Sequence, residues 1–552
     1  MAKEDDLFQA KMNMLIEKVK EGKMLFPKEK GIEKLFLAIR RDAEGNIVPD
    51  SVDVAVLSIA NIVFRNHMES EMRKISLKDV QKRYIEILEM YFSQPFAEMK
   101  KHKLTPADIA WEMSQKKSLV STFSKGKFGS HIKEFWQYYG PIVEVHLEDM
   151  KCLKAVFGGD IFPSYKENIA LKAGLYFDTI VLPDPLLRTA LLPKTHFKPS
   201  LAVYYWAKHA LNALQYKNLI LADVTPPIVV VVPDIILLYP QEMDFLKKIS
   251  FDDSLLHLEK IFKRSFASIT NVDKFLKEKD SIEKLANEIK DQSRVLLDVE
   301  EKDASLVDKL KSMGQAKDDF LGEAVLTHAG QQLKMTTFGR MMQANDLLRR
   351  AEIYGGTPLI DAPTSWQYLL WKYEYDQARS KELAPEASNL LVAQTLMGEQ
   401  MMGKIPILKN ISEEAIIKLR KEGALQELRD IMRISVDKFQ NVSEQEFAKA
   451  SQEIIANLDS AFTAYKKKIN NLSSSKKKFF GFDIAPWIVS GTIGIIATTV
   501  SNVPVGVLAA KVFGDLIGIR SGRELWAQGK AILDTEKQLK RTPAGIIINT
   551  TK

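Results

Sequence analysis

Apolar side chains recur every three or four positions over Val52–Phe64, Val80–Phe92 and His131–Tyr139. That spacing lays one face of a helix on a core. Thr105-Pro106-Ala107-Asp108 marks a helix start: a hydroxyl to cap, a proline for the first turn and an acid at the positive dipole end. The basic, glycine-punctuated stretch Ser121–Gly129 reads as a loop. Residues 1–155 are therefore expected to form a helical domain.

The pattern then changes. Leu175–Leu182, Leu219–Ala222, Ile228–Val232 and Ile235–Tyr239 are short apolar or β-branched runs, bounded by Pro183, Pro226, Pro227, Pro233 and Pro240. Such runs suit strands and tight turns. Ser200–Gln215, rich in Tyr, Trp and Ala, reads as a helix between them. Residues 156–250 are expected as a small α/β element inserted in a helical protein.

Phe275, Ile282, Ile289 and Leu296 repeat every seven residues, with Leu285, Val299 and Leu306 on the alternate seam. Glu278 and Gln292 interrupt that seam. Residues 251–315 are expected as a long helical arm or coiled coil, which would pair with a protein partner or a second copy through 275–310. An amphipathic helix packed on its own domain satisfies the same pattern.

Helical spacing continues through Leu326–Gln343 and Trp366–Arg379, around the turn Gly355-Gly356-Thr357-Pro358, within a helical region at 316–475. Ser412 is a good cap, and Glu413 and Glu414 suit the first turn. Ala415 stands where a full capping box wants Glu or Gln. The segment Ile405–Arg433, through Pro406, Leu408, Asn410, Ser412, Glu414, Leu419 and Arg420, resembles one found in uncharacterised bacterial proteins, some from phage-defence loci. The resemblance covers about thirty residues. It implies a bacterial protein with a role in antiviral defence, and its motif carries no known chemistry.

Residues 476–552 form the most unusual region. The stretch 460–482 holds six lysines and no acid, in the triplets Lys466, Lys467, Lys468 and Lys476, Lys477, Lys478. Phe479, Phe480 and Trp487 follow, and Ile484–Ala510 runs 27 residues without a charge. Lysines are drawn to anionic headgroups, aromatic rings to the headgroup boundary, and long uncharged runs to lipid. Gly514, Gly518 and Gly522 lie four apart, as closely packed helices require. Ser501-Asn-Val-Pro504 divides the run into limbs of roughly 25 and 22 Å, each short of a hydrocarbon core of about 30 Å. A C-terminal apolar helical hairpin is expected, either buried in a helical domain or facing lipid.

Composition adds limits. Of 552 residues, 46% are hydrophobic and 27% charged, and 78 basic against 71 acidic side chains leave a net charge of +7. A disordered chain is excluded, and a global case for nucleic acid is weak. One cysteine, Cys152, cannot form an internal disulfide or a cysteine-based zinc site. Met1–Gln9 is acidic and polar and lacks a signal peptide's apolar core, so a cytoplasmic start is expected, with peripheral or inserted contact at the inner membrane.

Candidate chemistry is sparse. Asp178, Asp184, Asp223 and Asp234 flank the expected strands, where gathered carboxylates could hold Mg²⁺ or Mn²⁺ for a nuclease. Aspartate also serves ordinary turns there. The eight histidines form no metal-binding pair, and neither a nucleophile elbow nor a phosphate-cradling glycine loop occurs. Tyr204, Tyr205 and Trp206 could stack bases but lack interleaved cations. No catalytic, cofactor-binding or metal-ligating residue is assigned. The chain reads as mainly α, multidomain and non-enzymatic: a partner-binding protein acting at a membrane, with an oligomeric scaffold or sensor and a metal-dependent nuclease as alternatives.

Overall fold

The computed structural model describes residues 2–24, 31–125, 127–158, 168–191, 199–234, 240–296, 305–315, 328–360, 363–383, 405–409, 411–423, 429–430, 460, 478–479, 482–483 and 488–495. The chain is mainly α, as the helical spacing requires. Its described residues fall into two compact units, one up to Leu77 and one from Lys78 onward.

The first unit contains α1 (Ala2–Lys20), α2 (Ile32–Leu37) and α3 (Val54–Arg73). Met12 and Leu15 of α1 close a core with Ile47, Val56, Ala60 and Val63. The Asp53 carboxylate caps α3 by accepting from the Ala55 amide at 2.8 Å. Gln9 exchanges two 2.8 Å hydrogen bonds with the Ile47 backbone, fixing the loop against α1.

The second unit begins with α4 (Leu77–His102), α5 (Pro106–Gln115), α6 (Lys117–Lys125) and α7 (Phe128–Asp149). Thr105 and Asp108 form a full capping box at α5. The expected loop at Ser121–Gly129 is corrected: Ser121–Lys125 lies in α6, and α7 opens at Phe128. Next come β1 (Lys154–Phe157), α8 (Ile169–Ala173), β2 (Thr179–Pro183), α9 (Leu186–Leu191), α10 (Pro199–Leu214), α11 (Lys217–Ile220) and β3 (Val229–Val232). Of the strand expected at Leu219–Ala222, Leu219 and Ile220 end the helix α11 instead, which packs on β3.

Then follow α12 (Pro240–Phe262), α13 (Ile269–Lys277), α14 (Ile282–Glu288), α15 (Leu306–Gln315), α16 (Ala329–Ile353), β4 (Thr357–Ile360) and α17 (Pro363–Leu383). Beyond them lie β5 (Ile405–Lys409), α18 (Glu413–Lys421), β6 (Lys478–Phe479), β7 (Phe482–Asp483) and β8 (Ile488–Ile495).

A six-stranded sheet runs β3-β2-β1-β4-β8-β5. The first four strands are parallel, while β8 is antiparallel to both β4 and β5. β1, β3 and β4 are buried at every residue, which is why they read as continuous apolar runs rather than alternating ones. The outer edge of β3 is closed by Gln81 of α4. Its amide donates to the Val231 carbonyl at 2.9 Å and accepts from the Val231 amide at 2.8 Å. The turn into β4 needs its glycines. Gly355 ends α16 at φ +57°, the Gly356 amide reaches back to the Ala351 carbonyl, and a Cβ on Gly356 would lie 2.8 Å from Val156.

Two larger expectations are corrected. Among the described residues of 275–310 short helices stand in place of one long arm: Ser268 and Ser281 each cap a new helix, and Ile289 leaves α14 in extended geometry. Ile282, Leu285 and Ile289 instead turn into a local core with Leu258, Ile261, Val272, Leu276, Leu310 and Leu333. Phe275, Ile282, Leu285, Ile289 and Leu306 of the heptad seam are thus covered within the chain. The first limb of the expected helical hairpin is also different, because Ile488–Ile495 is the strand β8. The β-branched residues of Ile488–Ile495 suit a strand, and its glycines disfavour a helix interior. The second limb lies outside the described residues. So do Lys466, Lys467, Lys468, Lys476, Lys477, Phe480, Trp487, Gly514, Gly518 and Gly522, and the strand expected at Ile235–Tyr239.

Candidate functional site

Four parallel strands in the order β3-β2-β1-β4 reverse direction of growth between β1 and β4. In such sheets ligands bind beyond the carboxyl ends of the strands, so that edge is the place to look for chemistry.

Asp184 follows β2 and is buried. Its carboxylate accepts from the Leu186 amide at 2.8 Å, the Tyr84 hydroxyl at 3.1 Å and the Trp136 indole. Burial pushes its pKa up to about 7; those three donors oppose the rise and nearby Asp234 adds to it. The residue joins α4, α7 and the start of α9 to the end of β2. Asp234 follows β3, also buried, 3.6 Å from the Arg350 guanidinium, which pairs in turn with Asp346 one turn back on α16.

α16 extends this belt of buried charge. Asn345 donates to Asp253 of α12 at 2.8 Å, and Asp253 meets Lys372 at 3.3 Å and Arg379 at 2.5 Å, both from α17. Asp376 completes the group, accepting from Lys372 at 2.5 Å and Arg379 at 3.1 Å. Burial opposes the charge on Asp253, but Lys372 and Arg379 hold its carboxyl below the usual range. For Asp376 burial prevails and its carboxyl rises. Two acids and two bases balance, as a dry ionic group must. Beside it His257 bonds the Tyr375 hydroxyl at 2.6 Å and the Arg294 carbonyl at 3.0 Å, and burial lowers it to about 3. The i,i+4 spacing of Lys372 and Asp376 was visible in the sequence. Their burial was not, because a charged pair on a helix normally faces water.

The amino end of the sheet is built differently. Asp178 precedes β2, accepts from the Leu153 amide at 2.9 Å and meets Arg429 at 3.1 Å. Arg420 of α18 donates to the carbonyls of Gly174, Phe177 and Asp178 at 3.2, 2.8 and 2.8 Å. The Lys154 ammonium caps the end of α7 at the Leu147 and Met150 carbonyls, its pKa lowered by burial. Asp223, on the surface, pairs with Lys78 at 3.1 Å.

Asp178 and Asp184 thus sit at opposite ends of one strand, six residues and about 20 Å apart; Asp223 and Asp234 flank β3 likewise. The four carboxylates cannot share a metal, and among the described residues no group of three His, Cys, Asp or Glu side chains could hold one. Of the aromatic cluster, Trp206 packs edge-on against Phe128 at 5.6 Å and Tyr205 stacks on His209. Lys478 and Phe479 lie in β6, paired with β7. Among the described residues no helix is long and apolar enough to cross a membrane.

No family model matches this chain, and comparisons with curated proteins and with solved structures find no match either.

Proposed function

We propose that the protein is a non-enzymatic sensor that binds a partner and then acts at an anionic membrane, keeping its apolar C-terminal run in the sheet beforehand. One observation carries this reading: Ile488–Ile495, inside the 27-residue uncharged run, lies between β4 and β5. A segment that suits lipid and is stored as a strand needs an event to release it. The lysine triplets upstream supply the attraction to anionic headgroups, on the order of 1 kcal/mol per residue at the surface. We read the resemblance at Ile405–Arg433 as pointing towards a role in bacterial antiviral defence, with the inner membrane as the target this proposal names.

Flotation with anionic liposomes tests this. The lysine triplets should bring the intact protein to the liposomes before any release of the strand, and a variant with Lys466, Lys467, Lys468, Lys476, Lys477 and Lys478 all changed to Gln should stay behind. An intact protein that never floats defeats the membrane reading. A scaffold assembled through 275–310 has less support, since Ile282 and Ile289 are buried within one chain. The nuclease reading loses its four-carboxylate site, since Asp178 and Asp223 lie at the opposite strand ends from Asp184 and Asp234.

A further inference from the structure

We infer that the outward face of α5, with the lysines at its two ends, docks on an anionic lipid bilayer. This rests on the membrane reading and gives it a second contact surface, in the helical part of the chain.

Positive charge is concentrated here. Between Glu98 and Glu134 lie eight lysines, no arginine and two acids, a surplus of six where the whole 552-residue chain has seven. Lys100, Lys101 and Lys103 precede the Thr105 cap, and Lys116 and Lys117 follow α5. All five are exposed, and among the described residues none pairs with a carboxylate. They bracket a helix about 15 Å long. Of the two acids, Asp108 is turned back on the Thr105 amide and hydroxyl, at 2.8 and 2.6 Å, which leaves Glu112 as the opposing charge.

α5 packs on α10 and buries Ile109, Ala110 and Met113. The opposite side turns Trp111 outward at 54% exposure, and Leu104, just before the cap, is 37% exposed. Trp111 is the one exposed tryptophan among the described residues. An indole seeks the boundary between headgroups and hydrocarbon, where its ring is sheltered and its N–H stays wet. Lysines beside it are drawn to anionic headgroups. Nucleic acid fits less well: phosphate recognition favours the planar fork of arginine, which this stretch lacks.

Flotation of the full chain on phosphatidylserine-containing and pure phosphatidylcholine liposomes tests this, beside the variant with both C-terminal lysine triplets changed to Gln. Changing Lys101, Lys103, Lys116 and Lys117 together to Gln should lower the fraction floated on phosphatidylserine at least about tenfold. Trp111→Ser should lower it several-fold. A polarity-sensitive fluorophore at Gln115→Cys, one turn from Trp111, in a Cys152→Ser background should brighten on phosphatidylserine liposomes and not on phosphatidylcholine. A four-glutamine variant that floats as the parent does, or a label that stays dark while the protein floats, would overturn the inference and leave the membrane reading standing. Flotation lost by the four-glutamine variant and kept by the triplet variant would support this surface and remove the C-terminal lysines from the reading. A parent that never floats defeats both. Single-stranded DNA binding lost by the four-glutamine variant, with its flotation unchanged, would overturn the inference in favour of nucleic acid.

Discussion

The two ends of the parallel sheet hold the same kind of residue in opposite company. At the amino end Asp178 faces a guanidinium, and buried cations from Arg420, Arg429 and Lys154 gather backbone carbonyls. At the carboxyl end Asp184 faces an indole, a phenol and an amide, all neutral. Three hydrogen bonds do not prevent burial from lifting the Asp184 pKa to about 7. Burial likewise brings Arg420 down to about 10, with neighbouring Arg429 adding to the fall. At Asp184 burial outweighs three neutral donors, just as at Asp376 it outweighs two cations.

Breaking the amino end should have the largest effect. Arg420→Met would leave the Gly174, Phe177 and Asp178 carbonyls without a donor, at about 3–5 kcal/mol. Urea unfolding measures this, and Arg420→Lys should recover only part of the loss because an ammonium cannot span the same fork.

The carboxyl end should show itself through pH. The folded pKa of Asp184 (about 7) lies above the ordinary aspartate value of 3.8. Between those values the folded state binds the extra proton, so this residue's contribution is full below about pH 4 and is lost as pH rises through 7. The loss is about 4 kcal/mol at most. His257 acts in the opposite sense. Its folded pKa of about 3 lies below 6.5, so its contribution is present above pH 6.5 and lost as pH falls towards 3. The two slopes offset each other in the intact protein. Urea midpoints from pH 4 to pH 8 should therefore show Asp184→Asn gaining stability relative to the parent as pH rises, with no further gain above about pH 7. A constant difference across that range would refute the assignment.

Smaller changes sharpen the comparison. Trp136→Phe removes one donor from Asp184 and should cost about 1–2 kcal/mol while moving its titration midpoint above 7, a shift that carbon-detected NMR of the carboxyl would follow. Lys78→Ala or Asp223→Asn breaks only the exposed pair. Neither should move the thermal midpoint beyond measurement error, since exposed pairs of this kind contribute little.

Much of the helical framework was legible. Thr105 and Asp108 form the box their spacing announces, and Ser412 caps α18 through the Ala415 amide at 3.1 Å. The Pro-bounded runs at Thr179–Pro183 and Val229–Val232 are strands. The site was less so. Arg420 belongs to the segment singled out by resemblance, but its work on carbonyls some 240 residues earlier has no local signature. The heptad at 275–310 misled because seven-residue spacing fits a covered seam on short helices as well as it fits a coiled coil. The serine caps at Ser268 and Ser281 were the signal that could have broken the arm into pieces.

By itself, the sequence determined where helices begin, which runs are too apolar for water, and that one cysteine and eight scattered histidines give no metal site of the usual spacing. These follow from local backbone preferences and side-chain chemistry, which act over a few residues. Only the tertiary structure decided that the four aspartates part into two ends, that Lys372 and Asp376 are buried, and that Ile488–Ile495 is a strand. Each of those depends on what distant chain lies alongside, and a buried charge or an apolar run has no fixed meaning until its neighbours supply a partner charge or a hydrogen-bonded edge.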